Sequence, residues 1–252
     1  MECQIVKDRP GLVRVYRSLQ QVDRASIDTE AYAPPPHSAL DPLYALPAGV
    51  SLAWGSAGVY LPVRHSDFRG DRKLLQGFVR AIFRLPCTWW GWNWKYDLAV
   101  LQNFLGDPEF VPERFADGML LAHKLDRGIP VRTEDKDHRL LGLKDMAAHH
   151  LGVKMATFED TMKPYGKIQV EGMGDEDLSA HSIKLMESKV AASKSKKLTK
   201  KIMADVRRET KPLRKAQVWR ERMTSEIPTD GIAPYAIDDA VQTLRLVEFL
   251  CE

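Results

Sequence analysis

Apolar residues recur along this chain in two periods. Between Lys73 and Arg84 they stand at 74, 75, 78, 79, 82 and 83, the spacing of a helix with one buried face. Val50, Leu52 and Trp54 alternate, Gly55–Gly58 supplies turn residues, and Val59, Leu61 and Val63 alternate again, which predicts a hairpin. Arg24–Glu30 reads as a short strand, and the apolar, aromatic Cys87–Trp92 as a buried one. Asp97–Leu105 predicts a helix closed by Gly106 and Pro108. Phe115–Leu125 and Leu140–Leu151 predict helices, the second with Gly152 as its cap. In Ile183–Arg222, Leu198, Ile202 and Val206 recur every four residues and Pro212 interrupts. That segment reads as two charged helices or a partly ordered excursion. The last helix is expected to start near Pro234 and to run through Ala240, Val241, Leu244, Val247 and Leu250. The order is three strands, helix, strand, helix, then mostly helices, and it implies a mixed α/β sheet.

The 252 residues suffice for one large domain, or a domain with a sizeable insertion. No apolar run approaches the roughly 20 residues that span a bilayer, and the first residues lack the apolar core of a secretory signal. Cys3, Cys87 and Cys251 are odd in number and far apart, which argues against a disulfide framework or a cysteine zinc site. The expected setting is reducing and cytoplasmic. The net charge of +3 hides a division. Lys184–Arg222 holds 14 Lys/Arg against 4 Asp/Glu, leaving the rest of the chain at −7. An acidic body thus carries one basic arm.

Three small patterns carry candidate chemistry. In Asp28-Thr29-Glu30 the two acids share one face of a strand. Asn93 through Asp97 (NWKYD) marks the junction of a strand and a helix. In Tyr235-Ala-Ile-Asp-Asp239 the first and last residues share a helix face. Each alone is common, and each acid alone reads equally well as a cap or a solvated surface group. Asn103 and Asp107 even repeat the second spacing, at a helix end. Gathering the acids changes the picture, because two carboxylates about 5 Å apart repel by roughly 3 kcal/mol at an effective dielectric near 20. A site holding four needs a cation or raised pKa values. Oxygen ligands without a cysteine cluster select hard ions, Mg²⁺ or Mn²⁺. Two such ions about 4 Å apart can activate a water and stabilise both oxygens of a phosphodiester under attack.

The stretches SIDTEAY, NWKYDLAVL and PYAIDDAVQTLRL resemble the three motifs of the DEDD exonuclease superfamily, in the variant whose third motif is Tyr-x-x-x-Asp. The nearest likeness is to the proofreading domain of family A DNA polymerases, and LGLKDMAAHHLGVKMATFED resembles that family's stretch between its second and third motifs. The resemblance implies an RNase H-like mixed sheet flanked by helices, with a basic helical insertion. It implies a single 3′–5′ exonuclease domain over residues 1–252, with the Lys/Arg-rich insertion at about 174–225 and no polymerase domain. By the resemblance, Asp28, Glu30 and Asp239 hold the first metal, Asp28 bridges to the second, and Asp97 assists, partly through water. Tyr235 orients the attacking water with Glu30, and Asn93 helps to hold the strand end. The implied substrate is the 3′ end of single-stranded DNA. The implied partner is a separate polymerase subunit, in a bacterial or viral replication setting. Asp238 is one residue out of register and is expected to be a bystander.

An exoribonuclease resembling RNase D would use the same chemistry on RNA, and a non-catalytic nucleic-acid-binding module would keep the fold without it. The basic arm, with Lys196, Lys197, Lys200 and Lys201, is expected to track phosphates. Trp94 is a candidate for base stacking, and Trp219 for either stacking or a helix–helix contact. His149 and His150 are expected to be structural.

Overall fold

The computed structural model describes residues 2–34, 37–132, 137–171, 175–192, 200–210 and 217–252. Six strands form the main sheet: β1 (Glu2–Ile5), β2 (Arg24–Tyr32), β3 (Leu46–Trp54), β4 (Ala57–Pro62), β5 (Thr88–Gly91) and β6 (Phe115–Asp117). Their spatial order is β1-β4-β3-β2-β5-β6. The hairpin β3–β4 and the β2–β3 pair are antiparallel, whereas β1, β5 and β6 join in parallel. This is the mixed α/β sheet that the alternating periods imply. β2 lies inside the sheet, with Asp28 opposite Ser51 and Glu30 opposite Gly49 on β3.

Strand alternation sorts β2 and β3 between two layers. Ile27 and its partner Leu52 enter a core shared with α1 (Arg9–Leu19), α2 (Arg72–Ile82) and α3 (Trp94–Leu105). On the opposite face Ala53 and Tyr60 pack against α9 (Thr229–Cys251). α1 starts where Asp8 accepts from the Gly11 N–H, and α2 where Asp71 accepts from that of Leu74. The close approach of α9 to β4 depends on Gly58, because a Cβ there would lie 2.6 Å from Ile237.

The structure departs from the periodic reading in several places. β1 and α1 precede the first predicted strand. Phe115–Leu125 is not one helix: Phe115–Asp117 pairs with β5 as an edge strand, and α4 (Gly118–Lys124) begins only after Asp117 caps it. Its apolar residues fit either period, and pairing decides. Leu140–Leu151 is divided into β8 (Asp137–Leu140, paired with β7, Ile129–Arg132), α5 (Leu143–Met146) and a π-helical turn, Ala147–Leu151. Gly152 closes that turn at φ 66°. α3 begins at Trp94 rather than Asp97, and α9 at Thr229, with Pro234 inside it. α6 (Phe158–Met162) is capped by Thr157.

Tyr165–Arg222 forms a compact unit of its own. In it β9 (Lys167–Glu171) pairs antiparallel with β10 (Gln217–Glu221), joined through α7 (Asp175–Ala192) and α8 (Lys200–Thr210). Ile202, Val206 and Thr210 are buried along one face of α8, as their spacing predicts. Trp219 lies on β10, not on a helix, so the expected helix–helix contact is corrected. Lys200 and Lys201 open α8, and Lys196 and Lys197 lie outside the described residues. Among the described residues no helix is long and apolar enough to cross a membrane.

Candidate active site

The site forms where β2 faces α9. The Ser26 hydroxyl donates to the Ala240 carbonyl at 2.6 Å, both groups buried, and so pins the helix across the strand. Two and four residues further on, Asp28 and Glu30 emerge on the same face. Tyr235 and Asp239 project one helical turn apart. One carboxylate oxygen from each of Asp28, Glu30 and Asp239 lies within 4.8 Å of the others. Glu30 and Asp239 are only 7% and 8% exposed, and Asp28 is half-buried.

Asp97 reaches the neighbourhood from the opposite face of β2. It sits in the first turn of α3, 3% exposed. Its Oδ1 accepts two hydrogen bonds from Thr29, from the backbone N–H at 2.9 Å and the hydroxyl at 2.6 Å. The start of α3 is set by Asp117, whose carboxylate accepts from the backbone N–H groups of Asn93 (3.2 Å) and Trp94 (2.8 Å). Asn93 takes φ 65°, left-handed backbone that asparagine tolerates, and its side chain makes no cap.

The ammonium of Lys144 lies 3.1 Å from Asp239 Oδ1 and 3.3 Å from the Tyr235 hydroxyl, and 4.4 Å from the centre of the Tyr235 ring. The edge of Phe158 also meets that ring. Sequence reasoning missed Lys144, Thr29 and Asp117. For Lys144 the one available signal was its place in the LGLKDMAAHH stretch. Deeper under the site, Tyr60 shares a 2.9 Å hydrogen bond with His65, whose other ring nitrogen bonds the Ile227 carbonyl.

Burial and crowding raise every acid of the cluster. Asp28 is held well above the usual carboxylate range, first by desolvation and then by the charges of Asp97, Glu30 and Asp239. Glu30 is pushed up to about 8 by desolvation and Asp239, against the pull of Lys144. Asp97 rises to about 7 through desolvation, opposed by its bonds from Thr29. Desolvation raises Asp239 as well, opposed by Lys144. The Tyr235 phenol is also pushed up, by desolvation and then by Asp239 and Glu30. Among the described residues Lys144 supplies one positive charge to the three acids of the triad, so the cluster retains a deficit of counter-charge. An all-oxygen donor set with that deficit fits a hard divalent cation.

The other sequence candidates separate clearly. Asp238 accepts from the Gln242 side chain along α9 and stands outside the triad. The Asn103 side chain donates to the carbonyls of Pro42 and Ala45, and Asp107 pairs with Arg80 at 2.9 Å. Trp94 is corrected: it is 2% exposed, packed against Phe83 and Phe115 in the core, and offers no face for stacking. His150 bonds the Arg127 carbonyl and lies tilted against the Phe249 ring, their centres 5.2 Å apart.

No family model matches the chain, and no curated protein matches it in sequence. Solved structures match it in shape. The catalytic core of RRP6 from Trypanosoma brucei superposes on 99% of this chain and 46% of its own, at a TM-score of 0.54 and 11% identity. RNase D from the same organism superposes on 98% of this chain and 64% of its own, at a TM-score of 0.56 and 13% identity. Its complex with RNA U12 gives 98%, 62%, 0.55 and 13%. The chain shares the fold of these solved RRP6 and RNase D structures. This chain spans about half the length of the RRP6 core and less than two thirds of RNase D. Within that fold, Asp28 and Glu30 from β2 and Asp239 from α9 form the acidic triad, and Asp97 from α3 is bonded to Thr29 between the two strand acids.

Proposed function

We propose that this protein is a metal-dependent 3′–5′ exonuclease, which hydrolyses the terminal phosphodiester of a nucleic acid strand and releases a nucleoside 5′-monophosphate. The observation that carries the reading is the convergence of Asp28, Glu30 and Asp239 within 4.8 Å, with Asp97 beside them. These acids would hold two Mg²⁺ or Mn²⁺ ions. Such ions, when bound, lower the pKa of a coordinated water and stabilise charge on both the entering and leaving oxygens. Tyr235 is a phenol at neutral pH, as an ordinary tyrosine is, and burial favours that form further; it would act as a hydrogen-bond donor that orients the attacking water with Glu30. Water adds to the terminal phosphorus, the bond to the upstream 3′ oxygen breaks, and that oxygen leaves with a proton. Lys144 holds Tyr235 and Asp239 in place. Asn93 is carried as a contact to the strand end, and the basic unit, with Lys196, Lys197, Lys200 and Lys201, as a contact to upstream phosphates.

The two substrate readings rest on different supports. The motif resemblance favours the 3′ end of single-stranded DNA, with a separate polymerase subunit as partner. RNA, in the manner of RNase D, is favoured by the neighbours in shape, one of them solved with RNA U12. Matched 3′ single strands of DNA and RNA, incubated with Mg²⁺ or Mn²⁺, decide between them. Nucleoside monophosphates are expected from the wild type and not from Asp28→Ala or Asp239→Ala. No product from either strand, or undiminished product from the two variants, overturns the proposal.

A further inference from the structure

A cavity of about 190 Å³ opens at the end of β2, walled by Arg64, Arg69 and Arg72 together with Tyr32 and Phe104. No aspartate or glutamate lines it. Among the described residues none of the three arginines forms an ion pair, although the chain outside the basic arm carries −7. Three guanidinium groups around one opening repel one another, and an anion between them relieves that repulsion.

The arginines are arranged rather than scattered. Arg64 lies over the Tyr32 ring, 5.5 Å from its centre, and donates to the Tyr32 hydroxyl at 3.3 Å. Arg72 lies 5.7 Å from the centre of the Phe104 ring and donates to the Phe104 carbonyl at 3.1 Å. A β-bridge brings Arg64 and Arg69 together, and the Gly70 N–H donates to the Val63 carbonyl at 2.9 Å. The Arg69 side chain makes no hydrogen bond among the described residues. Each guanidinium offers five N–H donors in a fixed fork that suits phosphate oxygens. Arg64 and Arg72 each commit one, so the forks are held in place with most donors open.

Position then selects the ligand. Tyr32 ends the strand that carries Asp28 and Glu30, beyond the register shift between Glu30 and Ala31. The cavity opens on the side of that strand end covered by α2 and α3, so a nucleic acid strand reaching both sites passes around the end of β2. We propose that Arg64, Arg69 and Arg72 bind a backbone phosphate of the nucleic acid strand whose 3′ end enters the acidic cluster. This site rests on the exonuclease reading for its ligand, and it makes the enzyme sensitive to the length of its substrate.

The test compares a dinucleotide with a 12-nucleotide single strand, for the wild type, Arg69→Ala and the triple alanine variant. Arg69→Ala removes no internal side-chain bond, so a thermal melt is expected to match the wild type even if the triple variant unfolds. The expected result is a KM raised roughly tenfold on the 12-mer, as removal of one charge-assisted hydrogen bond implies, with dinucleotide kinetics unchanged. Binding of a 3′-blocked 12-mer without metal, read by fluorescence anisotropy, is expected to weaken in parallel. Its salt slope should flatten by about 0.7 for each phosphate no longer neutralised. Unchanged binding of the 12-mer, or equal losses on both lengths, overturns the proposal. So does a variant that escapes competition by inorganic phosphate yet keeps its length dependence, which assigns the arginines to free phosphate. If the wild type cleaves neither substrate the exonuclease reading fails, while the anisotropy arm still decides on the arginine site.

Discussion

Thr29 directs both of its donors, backbone N–H and hydroxyl, to a single oxygen of Asp97, at 2.9 and 2.6 Å. Thr29 lies between Asp28 and Glu30 but faces the other side of the sheet. One dipeptide step therefore sends two acids toward α9 and a pair of donors toward α3. The strand that carries half of the acidic cluster thereby fixes the acid that arrives from another helix. Thr29→Val keeps the shape and deletes the hydroxyl bond. It is expected to cost about 1–2 kcal/mol in chemical denaturation. Because that bond holds the Asp97 pKa down, the acid limb of the pH–rate profile should also move to higher pH. A limb that stays in place would free Asp97 from this control.

The metal-free protein should lose stability as pH rises. Glu30 sits near 8 and Asp97 near 7 when folded, both above their unfolded values. The folded state therefore holds protons that the unfolded chain has released, and stability falls from about pH 4 to about pH 8. Millimolar Mg²⁺ should flatten that fall, since a bound cation replaces the protons. Melting temperatures across this range, with and without Mg²⁺, check it. A slope indifferent to Mg²⁺ would count against a metal site.

Asp28→Asn removes one charge from the crowded cluster at nearly constant shape. The variant is expected to melt at or above the wild-type temperature without metal, at pH 8, and to show no nuclease activity. A large loss of metal-free stability would make Asp28 a structural residue.

Lys144→Met should separate rate from metal affinity. Its ammonium competes with any cation for Asp239, at 3.1 Å, so the Mn²⁺ concentration for half-maximal activity is expected to fall. The maximal rate is expected to fall too, by roughly tenfold or more, because Tyr235 loses its anchor. A reduced rate together with a higher Mn²⁺ requirement would instead mean a general collapse of the site.

Neutralising Lys196, Lys197, Lys200 and Lys201 is expected to weaken strand binding and flatten its salt dependence. Equal affinity and slope in the variant would assign the basic unit to another task.

Local spacing made some of this legible. Asp28 and Glu30 could be placed on one face because a strand repeats every second residue. Tyr235 and Asp239 could be placed together because a helix repeats nearly every fourth. The hairpin and the helices α2 and α3 follow from the same periods. Other features depend on partners far along the chain. Residues 115–117 are a strand only because β5 lies beside them. Trp94 is core because Phe83 and Phe115 close over it, although its neighbour Asn93 is half-buried. Lys144 and Asp239 meet across 95 positions, and Thr29 and Asp97 across 68. Periodicity is a property of the backbone and can be read from one segment at a time. A contact between distant segments forms only where its free energy exceeds the entropy cost of closing the loop between them, and no single segment records which contact meets that condition.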